Sequence, residues 1–400
     1  MKILQVNAVY DKGSTGKIAK GINEIAEQNG FQASFSVPKT KLNKKIFYEQ
    51  EYIKIGTYYG RCLSVLLARF TGFNECFSFF ATLKFLRKVK KYNPDIIHLH
   101  NLHGWYLNLP LLFKYIKKHN IRVVWTLHDC WTFTGHCPHF DMIGCDKWRT
   151  GCYKCPQYKA YPKSYVDRSK SMYKLKKKWF TGVRDMTLVT PSRWLADLVK
   201  QSFLKDYPVK VIHNGIDLSV FKPTESEFRK KYNCENKFVL LGVAFGWGQR
   251  KGLDVFLELA KRLDENYQIV LAGTDKRVDK LLPENIISIH RTQNQTELAE
   301  IYSAADLFVM PTREDNFPTV NIESLACGTP IVTFRTGGSP ECIDETCGSV
   351  VEKNDIDGLE KEIRRIYEEK PFKSAACVER AKQFDMNDKF KEYVDLYGRK

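Results

Sequence analysis

Residues 311–330 read PTREDNFPTVNIESLACGTP, and this stretch decides the fold. It follows an apolar run, Ala305–Met310, and passes through a polar turn into a segment with helical apolar periodicity, Ile322–Ala326. Gly328 and Pro330 then end the segment. The order predicts a strand, a loop, a helix and a stop, which together form one βα unit.

Two acids flank this loop, Asp315 and Glu323, eight residues apart. The backbone N–H groups at the N-terminus of a helix favour a phosphate group. A carboxylate on either side accepts hydrogen bonds from hydroxyl groups. A nucleotide sugar carries both kinds of group, so the stretch predicts a site for such a ligand. An ordinary βα unit with surface acids is the alternative.

The size and composition of the chain indicate a globular protein with two domains. It has 400 residues, of which 43% are hydrophobic and 27% are charged, and one ordinary core does not extend over that length. No apolar run reaches the ~18 residues of a membrane-spanning helix. The N-terminal apolar run stops at Asp11 without a small-residue cleavage site. We therefore expect a buried first strand, no signal peptide and a cytoplasmic protein.

The chain is strongly basic, with 63 Lys and Arg residues against 46 Asp and Glu residues and a net charge of +17. Such a balance favours an anionic partner, which can be nucleic acid, anionic lipid or a phosphorylated substrate. A lysine-rich surface that only keeps the protein in solution explains the charge equally well.

Short β-rich runs alternate with helical periods along the chain. A glycine-containing loop, Gly13–Gly16, follows the first of these runs, and a helix after it ends at Asn29 and Gly30. The first series predicts strands at Lys2–Val6, Asp95–Leu99, Val123–Leu127, Thr187–Thr190 and Val209–Ile212.

The pattern restarts after the turn His213–Asp217. The second series predicts strands and helices in alternation at Phe238–Val243, Leu253–Leu263, Gln268–Ala272, Glu297–Ala304, Ala305–Met310, Ile322–Ala326 and Ile331–Phe334. We therefore predict an α/β fold with two doubly wound domains, residues 1–213 and 214–385, facing across a cleft. The helical stretch 386–400 is either a plain C-terminal helix or one that crosses back onto the first domain.

The stretch 311–330 resembles the signature of the retaining GT-B glycosyltransferases of family 4. Nearly the whole chain resembles their bacterial polysaccharide-assembly subgroup, of the colanic-acid and O-antigen type. The family pattern is Glu, seven residues, Glu; Glu323 matches the second acid, and Asp315 stands at the first. The resemblance implies that the first acid meets the hydroxyl groups of the donor sugar and that the second binds the nucleotide ribose. It also implies GT-B architecture, with two Rossmann-like domains facing each other.

The resemblance implies roles for further residues of the second domain. Lys251 matches a family lysine that directly precedes a glycine, and Arg250 stands in for a family arginine that lies earlier in the same loop. Their charges would offset that of the departing diphosphate. Backbone N–H groups of the following loop would face the diphosphate, at Asn316, Phe317, Thr319 and Val320.

Histidines and glycines of the first domain complete the expected site. His128 matches a family histidine that contacts the donor sugar near the reacting centre. Gly13 and Gly16 match the first βα loop, where glycine lets the backbone approach the donor phosphate and the acceptor. His100 and His103 either shape the acceptor site or are structural histidines.

A cysteine-rich insert at about residues 130–156 is separate from this site. His136 and His139 lie near four cysteines with the spacing C-x7-C-x6-C-x2-C, namely Cys137, Cys145, Cys152 and Cys155. Four thiolates can bind a structural Zn²⁺ tetrahedrally and fold such an insert, whereas buried free thiols explain it equally well. A similar insert occurs in part of the subgroup that the chain resembles, and sugar transfer in the family needs no metal ion.

Two segments favour contact with an anionic membrane surface. Residues Lys170–Lys178 are expected to form a basic helix, and the apolar-rich stretch Cys62–Phe80 contains five phenylalanines. Together they can rest on anionic headgroups while the site takes a lipid-linked acceptor. A solvated helix and a core helix are the alternatives.

We therefore expect a hexosyltransferase-type enzyme that moves a sugar, with retention, from a UDP- or GDP-sugar. The expected acceptor is a saccharide or a polyprenyl-diphosphate-linked oligosaccharide in surface polysaccharide or O-antigen synthesis, and no nucleic-acid partner is expected. Two alternatives stay open. A basic zinc-containing nucleic-acid-binding protein explains the charge and the cysteines but not the two doubly wound halves. A GT-B nucleotide-sugar epimerase is the other.

Overall fold

The computed structural model describes residues 1–40, 42–43 and 52–398. Contacts within the chain divide it into two units. The first unit contains Met1–His213 and the C-terminal segment from Lys389 onward, and the second contains Asn214–Asp388. The C-terminal helix Met386–Gly398 therefore begins in the second unit and ends in the first.

Within the described residues, the first unit holds one seven-stranded sheet. Its strands are β1 Lys2–Val6, β2 Gln32–Pro38, β3 Tyr52–Ile55, β4 Ile96–Leu99, β5 Arg122–Thr126, β6 Met186–Thr190 and β7 Val209–Val211. They are parallel and lie in the order β3-β2-β1-β4-β5-β6-β7. The helices of this unit are Gly13–Gln28, Tyr58–Thr71, Phe79–Tyr92, Leu109–His119, Ser169–Phe180 and Arg193–Lys200.

The sequence specifies the ends of these helices locally. At Leu109–His119, the side chain of Asn108 accepts a hydrogen bond from the backbone N–H of Leu111 at 3.0 Å, which caps the first turn. Asn120 then ends the helix in the left-handed conformation, with φ of 49°. These are the helix start and stop chemistries that asparagine favours.

The second unit repeats the pattern with a six-stranded sheet among the described residues. Its strands are β8 Phe238–Val243, β9 Tyr267–Ala272, β10 Ile286–Ile289, β11 Leu307–Met310, β12 Ile331–Phe334 and β13 Gly348–Val351. They are parallel, in the order β10-β9-β8-β11-β12-β13. The helices are Phe228–Lys231, Leu253–Arg262, Lys276–Asp279, Gln295–Ala304, Thr319–Ala326, Ile356–Glu369 and Ser374–Lys382.

These two parallel sheets confirm the predicted α/β, doubly wound class. The carboxyl ends of the strands matter most for function, because ligands bind there in open α/β sheets with parallel strands. In the second unit, the stretch 311–330 directly follows β11. In the first unit, His100 and His103 follow β4, and His128 follows β5.

The prediction of a glycine loop at Gly13–Gly16 is wrong. Gly13–Gln28 is a helix, so both glycines lie in its first turn. A Cβ atom on Gly16 would lie 3.1 Å from the backbone nitrogen of Asp11. This close packing against the preceding loop gives a structural reason for glycine at position 16.

Candidate active site

The loop after β11 places Asp315, the first of the two predicted acids, in contact with the predicted Lys251. The Nζ atom of Lys251 lies 2.5 Å from Oδ2 of Asp315, with side chains 15% and 22% exposed. Burial by itself would raise the pKa of Asp315, but the charge and hydrogen bond of Lys251, together with Arg250, lower it. The carboxylate is thus held ionised in a site that is largely closed to water.

Backbone contacts fix the geometry of this pair. Gly252 has φ of +77°, and a Cβ atom there would lie 2.5 Å from the carbonyl oxygen of Pro311. Gly337 has φ of +54°, and a Cβ atom there would overlap the carbonyl oxygen of Asp315. A larger residue at Gly252 would push the loop before Leu253–Arg262 away from the loop after β11, and a larger residue at Gly337 would push the loop after β12 away from it. Both glycines are therefore needed for the close approach.

A buried arginine ties the loop after β11 to the loop before Leu253–Arg262. The guanidinium group of Arg313 donates two hydrogen bonds of 2.7 Å to the carboxylate of Asp254, a bidentate pair. Its backbone N–H donates to the carbonyl of Arg250 at 2.9 Å. Arg250 in turn donates from its side chain to the carbonyl of Glu314 at 3.2 Å. The structure therefore brings Arg250, Lys251 and Asp315 together, whereas Arg313 was not predicted as a site residue.

The helix Thr319–Ala326 points its N-terminus into this loop region. Pro318 is its N-cap residue, and no side-chain cap hydrogen bond occurs among the described residues. Asn316 and Phe317 are buried, and their carbonyls accept hydrogen bonds from the N–H of Gly338 at 2.8 Å and from the side chain of Asn214 at 3.0 Å. The carbonyls are thus turned into the protein, which suits a helix N-terminus that binds an anion.

Glu323 lies on the same helix, one turn inside its start. Its Oε2 accepts a hydrogen bond of 3.2 Å from the hydroxyl of Tyr302. Tyr302 is fully buried, and burial together with the charge of Glu323 raises its pKa well above the ordinary value. The tyrosine therefore stays protonated and holds one carboxylate oxygen in a fixed orientation.

In the first unit, the residues after β4 and β5 form a histidine cluster. The ring of His100 meets the ring of His128 through a hydrogen bond of 3.1 Å between Nδ1 of His100 and Nε2 of His128. Burial lowers the pKa of His128 to about 4, against the opposing charge of Asp129. His128 is accordingly neutral at neutral pH.

The neighbouring acid is paired with the third histidine. Oδ2 of Asp129 lies 2.8 Å from Nε2 of His103, and Oδ1 accepts the backbone N–H of Trp131 at 2.8 Å. Burial alone would raise the pKa of Asp129, but His103 lowers it to about 2. The position of His103 is therefore explained by its contact with Asp129.

The sequence did not single out Gln5, although it lies in this cluster. Gln5 is fully buried in β1 and accepts a hydrogen bond of 2.8 Å from Nε2 of His100. A polar side chain in the middle of an apolar strand is the signal that would have identified it, since buried polar groups need partners.

The four cysteines of the insert line one cavity with His136. The thiol of Cys137 donates a hydrogen bond to the sulfur of Cys155, which raises the pKa of Cys137 and lowers that of Cys155. The backbone N–H of Gly135 lies 3.1 Å from Sγ of Cys152. In the parts of the chain that the structure describes, no group of three or more His, Cys, Asp or Glu side chains has the geometry of a metal site. The zinc assignment therefore stays a prediction.

The two candidate membrane segments differ in what they expose. In the helix Ser169–Phe180, Lys176 is fully buried and donates to the carbonyl of Trp131 at 2.7 Å. In Tyr58–Thr71 the small residues Ser64 and Ala68 are buried, and the large apolar residues face outward. The alternative that this stretch is a core helix is therefore wrong. Across the described residues, no helix combines the length and apolarity needed to cross a membrane.

Comparisons with known proteins agree with the fold and with the sequence signature. The model of Glycosyltransferase Family 4 matches residues 56–220, and that of Glycosyl transferases group 1 matches residues 224–384. The chain is 26% identical over 370 residues to the putative colanic acid biosynthesis glycosyl transferase WcaC of Escherichia coli K12. That alignment covers 89% of this chain and 88% of the relative.

Two solved structures resemble the whole chain. Sucrose-phosphate synthase from Thermosynechococcus elongatus aligns with a TM-score of 0.74 at 18% identity, covering 99% of this chain and 98% of its own. Anabaena HepE in complex with UDP aligns with a TM-score of 0.70 at 15% identity, covering 99% of each chain. Two Rossmann-like domains with these neighbours define the GT-B fold. With two family models covering most of its length, the chain belongs to the GT-B glycosyltransferases of family 4.

Proposed function

We propose that this glycosyltransferase moves a sugar from a UDP- or GDP-sugar, with retention of configuration, to a saccharide or polyprenyl-diphosphate-linked acceptor in surface polysaccharide synthesis. One observation carries the proposal: the ion pair of Lys251 and Asp315 lies beside a helix that starts without a side-chain cap among the described residues. The name of the relative WcaC refers to colanic acid, and the HepE structure contains UDP. Both support a nucleotide-linked donor and a polysaccharide product.

In this proposal the second unit stabilises the leaving diphosphate. Lys251 and Arg250 supply positive charge, and the N-terminus of Thr319–Ala326 supplies N–H groups at Thr319 and Val320. Asp315 and Glu323 accept hydrogen bonds from sugar and ribose hydroxyls. Because these groups supply the positive charge, the proposed transfer needs no metal ion. The mechanism uses no protein nucleophile: the oxygen of the acceptor hydroxyl bonds to the sugar from the face that the diphosphate leaves, and its proton passes to the departing diphosphate. His128 keeps its expected role at the donor sugar.

The proposal is tested with Lys251→Ala and Glu323→Ala. Each should lower kcat/KM for sugar transfer by ~100- to 1000-fold, the usual cost of losing one group that stabilises transition-state charge. Lys261→Ala is the control, since Lys261 is an exposed lysine on the same unit that pairs with Glu258. Circular dichroism and thermal unfolding confirm that each variant is folded. Near-normal turnover in both site variants would overturn the assignment.

The donor is identified by thermal shift with UDP-, GDP-, ADP- and dTDP-sugars. A ligand present at about 100 times its Kd stabilises the folded protein by roughly 2.7 kcal/mol. A UDP- or GDP-sugar should therefore raise the Tm, and this shift should be lost in Glu323→Ala. Release of free nucleotide without any transfer would favour an epimerase.

We further propose that the enzyme works at an anionic membrane surface. The outward face of Tyr58–Thr71 carries Tyr59, Leu63 and Phe70, which are 82%, 57% and 60% exposed. Phe80, at the start of the next helix, is 77% exposed. Large apolar and aromatic side chains on one helix face suit the interfacial region of a lipid bilayer.

The charge around this face favours anionic lipid over a protein partner. Residues 52–94 contain eight Lys and Arg residues and one acid, Glu75. Glu75 is buried and accepts a hydrogen bond of 3.0 Å from the backbone N–H of Trp105, so it adds no negative charge to the surface. Basic residues in the same part of the chain as an exposed apolar face attract anionic headgroups.

A further inference from the structure

A chain of buried polar side chains leads from the surface of the first unit to His128. It starts on the helix Gly13–Gln28, where Nδ2 of Asn23 donates to Oε1 of Glu27 at 2.9 Å. Nε2 of Gln5 donates to Oδ1 of Asn23 at 3.3 Å. Oε1 of Gln5 lies 2.8 Å from Nε2 of His100, and Nδ1 of His100 lies 3.1 Å from Nε2 of His128. The three middle side chains are buried, while Glu27 lies at the surface.

The carboxylate of Glu27, at the outer end of this series of hydrogen bonds, fixes which group donates and which accepts in each of them. An ionised carboxylate only accepts hydrogen bonds, so Asn23 must turn its NH₂ group toward Glu27 and its oxygen toward Gln5. Gln5 must then donate its NH₂ group to Asn23, which leaves its oxygen to accept from His100. The N–H of His100 is therefore on Nε2.

The same order of donor and acceptor continues through His100 and His128, because both rings are neutral. Burial lowers the pKa of His100 well below its ordinary value and that of His128 to about 4. A neutral imidazole has one N–H group and one acceptor nitrogen. With its proton on Nε2, His100 accepts at Nδ1, so the donor in the contact between the rings is Nε2 of His128.

We propose that Glu27, acting through Asn23, Gln5 and His100, sets the tautomer of His128 and keeps its Nδ1 as a hydrogen-bond acceptor. These four are positioning residues. The consequence for transfer rests on the proposed function, in which His128 meets the donor sugar: an acceptor nitrogen can receive a hydrogen bond from a sugar hydroxyl, and the other tautomer cannot.

The test reverses the direction of the chain. In Glu27→Lys the outer group can only donate, so every amide and ring must turn over and His128 should carry its proton on Nδ1. Glu24→Lys is the matched control, with the same charge change on the same helix but outside the chain. Two-bond ¹H–¹⁵N spectra of protein with ¹⁵N-labelled histidine report the tautomer of each ring, and the His128 signals are assigned by their loss in His128→Gln.

We expect the Nε2–H form of His128 in the parent and in Glu24→Lys, and the Nδ1–H form in Glu27→Lys. The double variant Asn23→Leu with Glu27→Lys should give the same His128 spectrum as Asn23→Leu alone, because the hydrogen-bond chain is cut next to the new lysine. A parent protein with the Nδ1–H form, or an unchanged spectrum in Glu27→Lys, overturns the proposal. The spectra need no substrate, so this result stands apart from the proposed activity. In an active enzyme, kcat of Glu27→Lys should also fall by ~10-fold or more, since a wrong tautomer impairs a catalytic histidine.

Discussion

Asp315 stands where the family pattern has glutamate, and Lys251 reaches it directly, at 2.5 Å. The shorter carboxylate is thus fixed by an ion pair and by two glycines that let the loops approach. Sequence reasoning found both residues of the pair, because their positions in the family pattern are fixed by spacing. It did not find Gln5 or Asn23, because their role depends on which strands become neighbours in the sheet.

The charge of Asp315 should matter for both activity and stability. Asp315→Asn should lower kcat/KM by ~100-fold, and loss of a partly buried ion pair should lower the free energy of unfolding by ~1–2 kcal/mol at pH 7. The folded-state pKa of Asp315 is lowered, so this stabilisation is present above the unfolded-state pKa of ~3.9 and is lost as the pH falls through the folded-state pKa.

Urea unfolding at pH 7 and at acid pH measures this difference. Asp357→Asn is the control, because Asp357 lies on the surface of the same unit and is 88% exposed. A stability difference between parent and Asp315→Asn that stays constant down to pH 2 would contradict the assigned ion pair.

Among the elements, apolar periodicity identified most of the central strands of the two sheets. The strand Phe238–Val243 and the strand Ile331–Phe334 were predicted with the bounds that the structure has. The strands β3, β10 and β13 were missed because they are four-residue edge strands of their sheets, where burial is incomplete and the apolar pattern is weak. The inner strand β2 was missed as well, because polar and small residues interrupt its apolar pattern. The helix start at Gly13 was missed because glycine was interpreted as a loop residue.

The cysteine insert gives a prediction at the same scale. If Cys137, Cys145, Cys152 and Cys155 bind zinc, the purified protein should contain about one zinc ion per chain by elemental analysis, with tetrahedral thiolate ligation. Cys145→Ser with Cys152→Ser should lose the metal and lower the Tm, because metal binding stabilises the fold of an insert. Cys234→Ser, a buried cysteine of the second unit, is the control. Metal-free protein with four titratable thiols in this segment would favour the free-thiol alternative.

At the scale of the whole molecule, the basic residues behind the net charge of +17 lie in different surroundings, and the structure distinguishes them. The helix Ser169–Phe180 has one lysine, Lys176, in the core, where burial lowers its pKa to about 7. The region around Tyr58–Thr71 instead combines exposed apolar residues with basic neighbours. Composition alone does not say where an anionic partner would bind, and in our proposal such a partner meets the exposed face of Tyr58–Thr71.

Membrane binding is tested with vesicle sedimentation. The parent should bind phosphatidylglycerol vesicles and not phosphatidylcholine vesicles, with affinity that falls as salt is added. The triple variant Tyr59→Ser, Leu63→Ser, Phe70→Ser should bind at least ~100-fold more weakly, since burying each large apolar side chain contributes up to ~1.5–3 kcal/mol. Leu281→Ser with Ile143→Ser removes exposed apolar residues elsewhere and should bind normally. If the parent dimerises through this face and ignores vesicles, a second copy of the chain is the partner instead.

The C-terminal helix has a consequence for how the chain is made. Tyr393 and Tyr397 are buried in the first unit, and the hydroxyl of Tyr397 lies 2.6 Å from Nδ1 of His98. Arg122 donates hydrogen bonds of 2.9 Å and 2.7 Å to the carbonyls of Tyr397 and Leu396. Domains usually fold in order as they leave the ribosome. Here the unit that is synthesised first lacks part of its core until the second has been translated, so a nascent chain arrested before Tyr397 would carry an unfinished first unit exposed to proteases and chaperones.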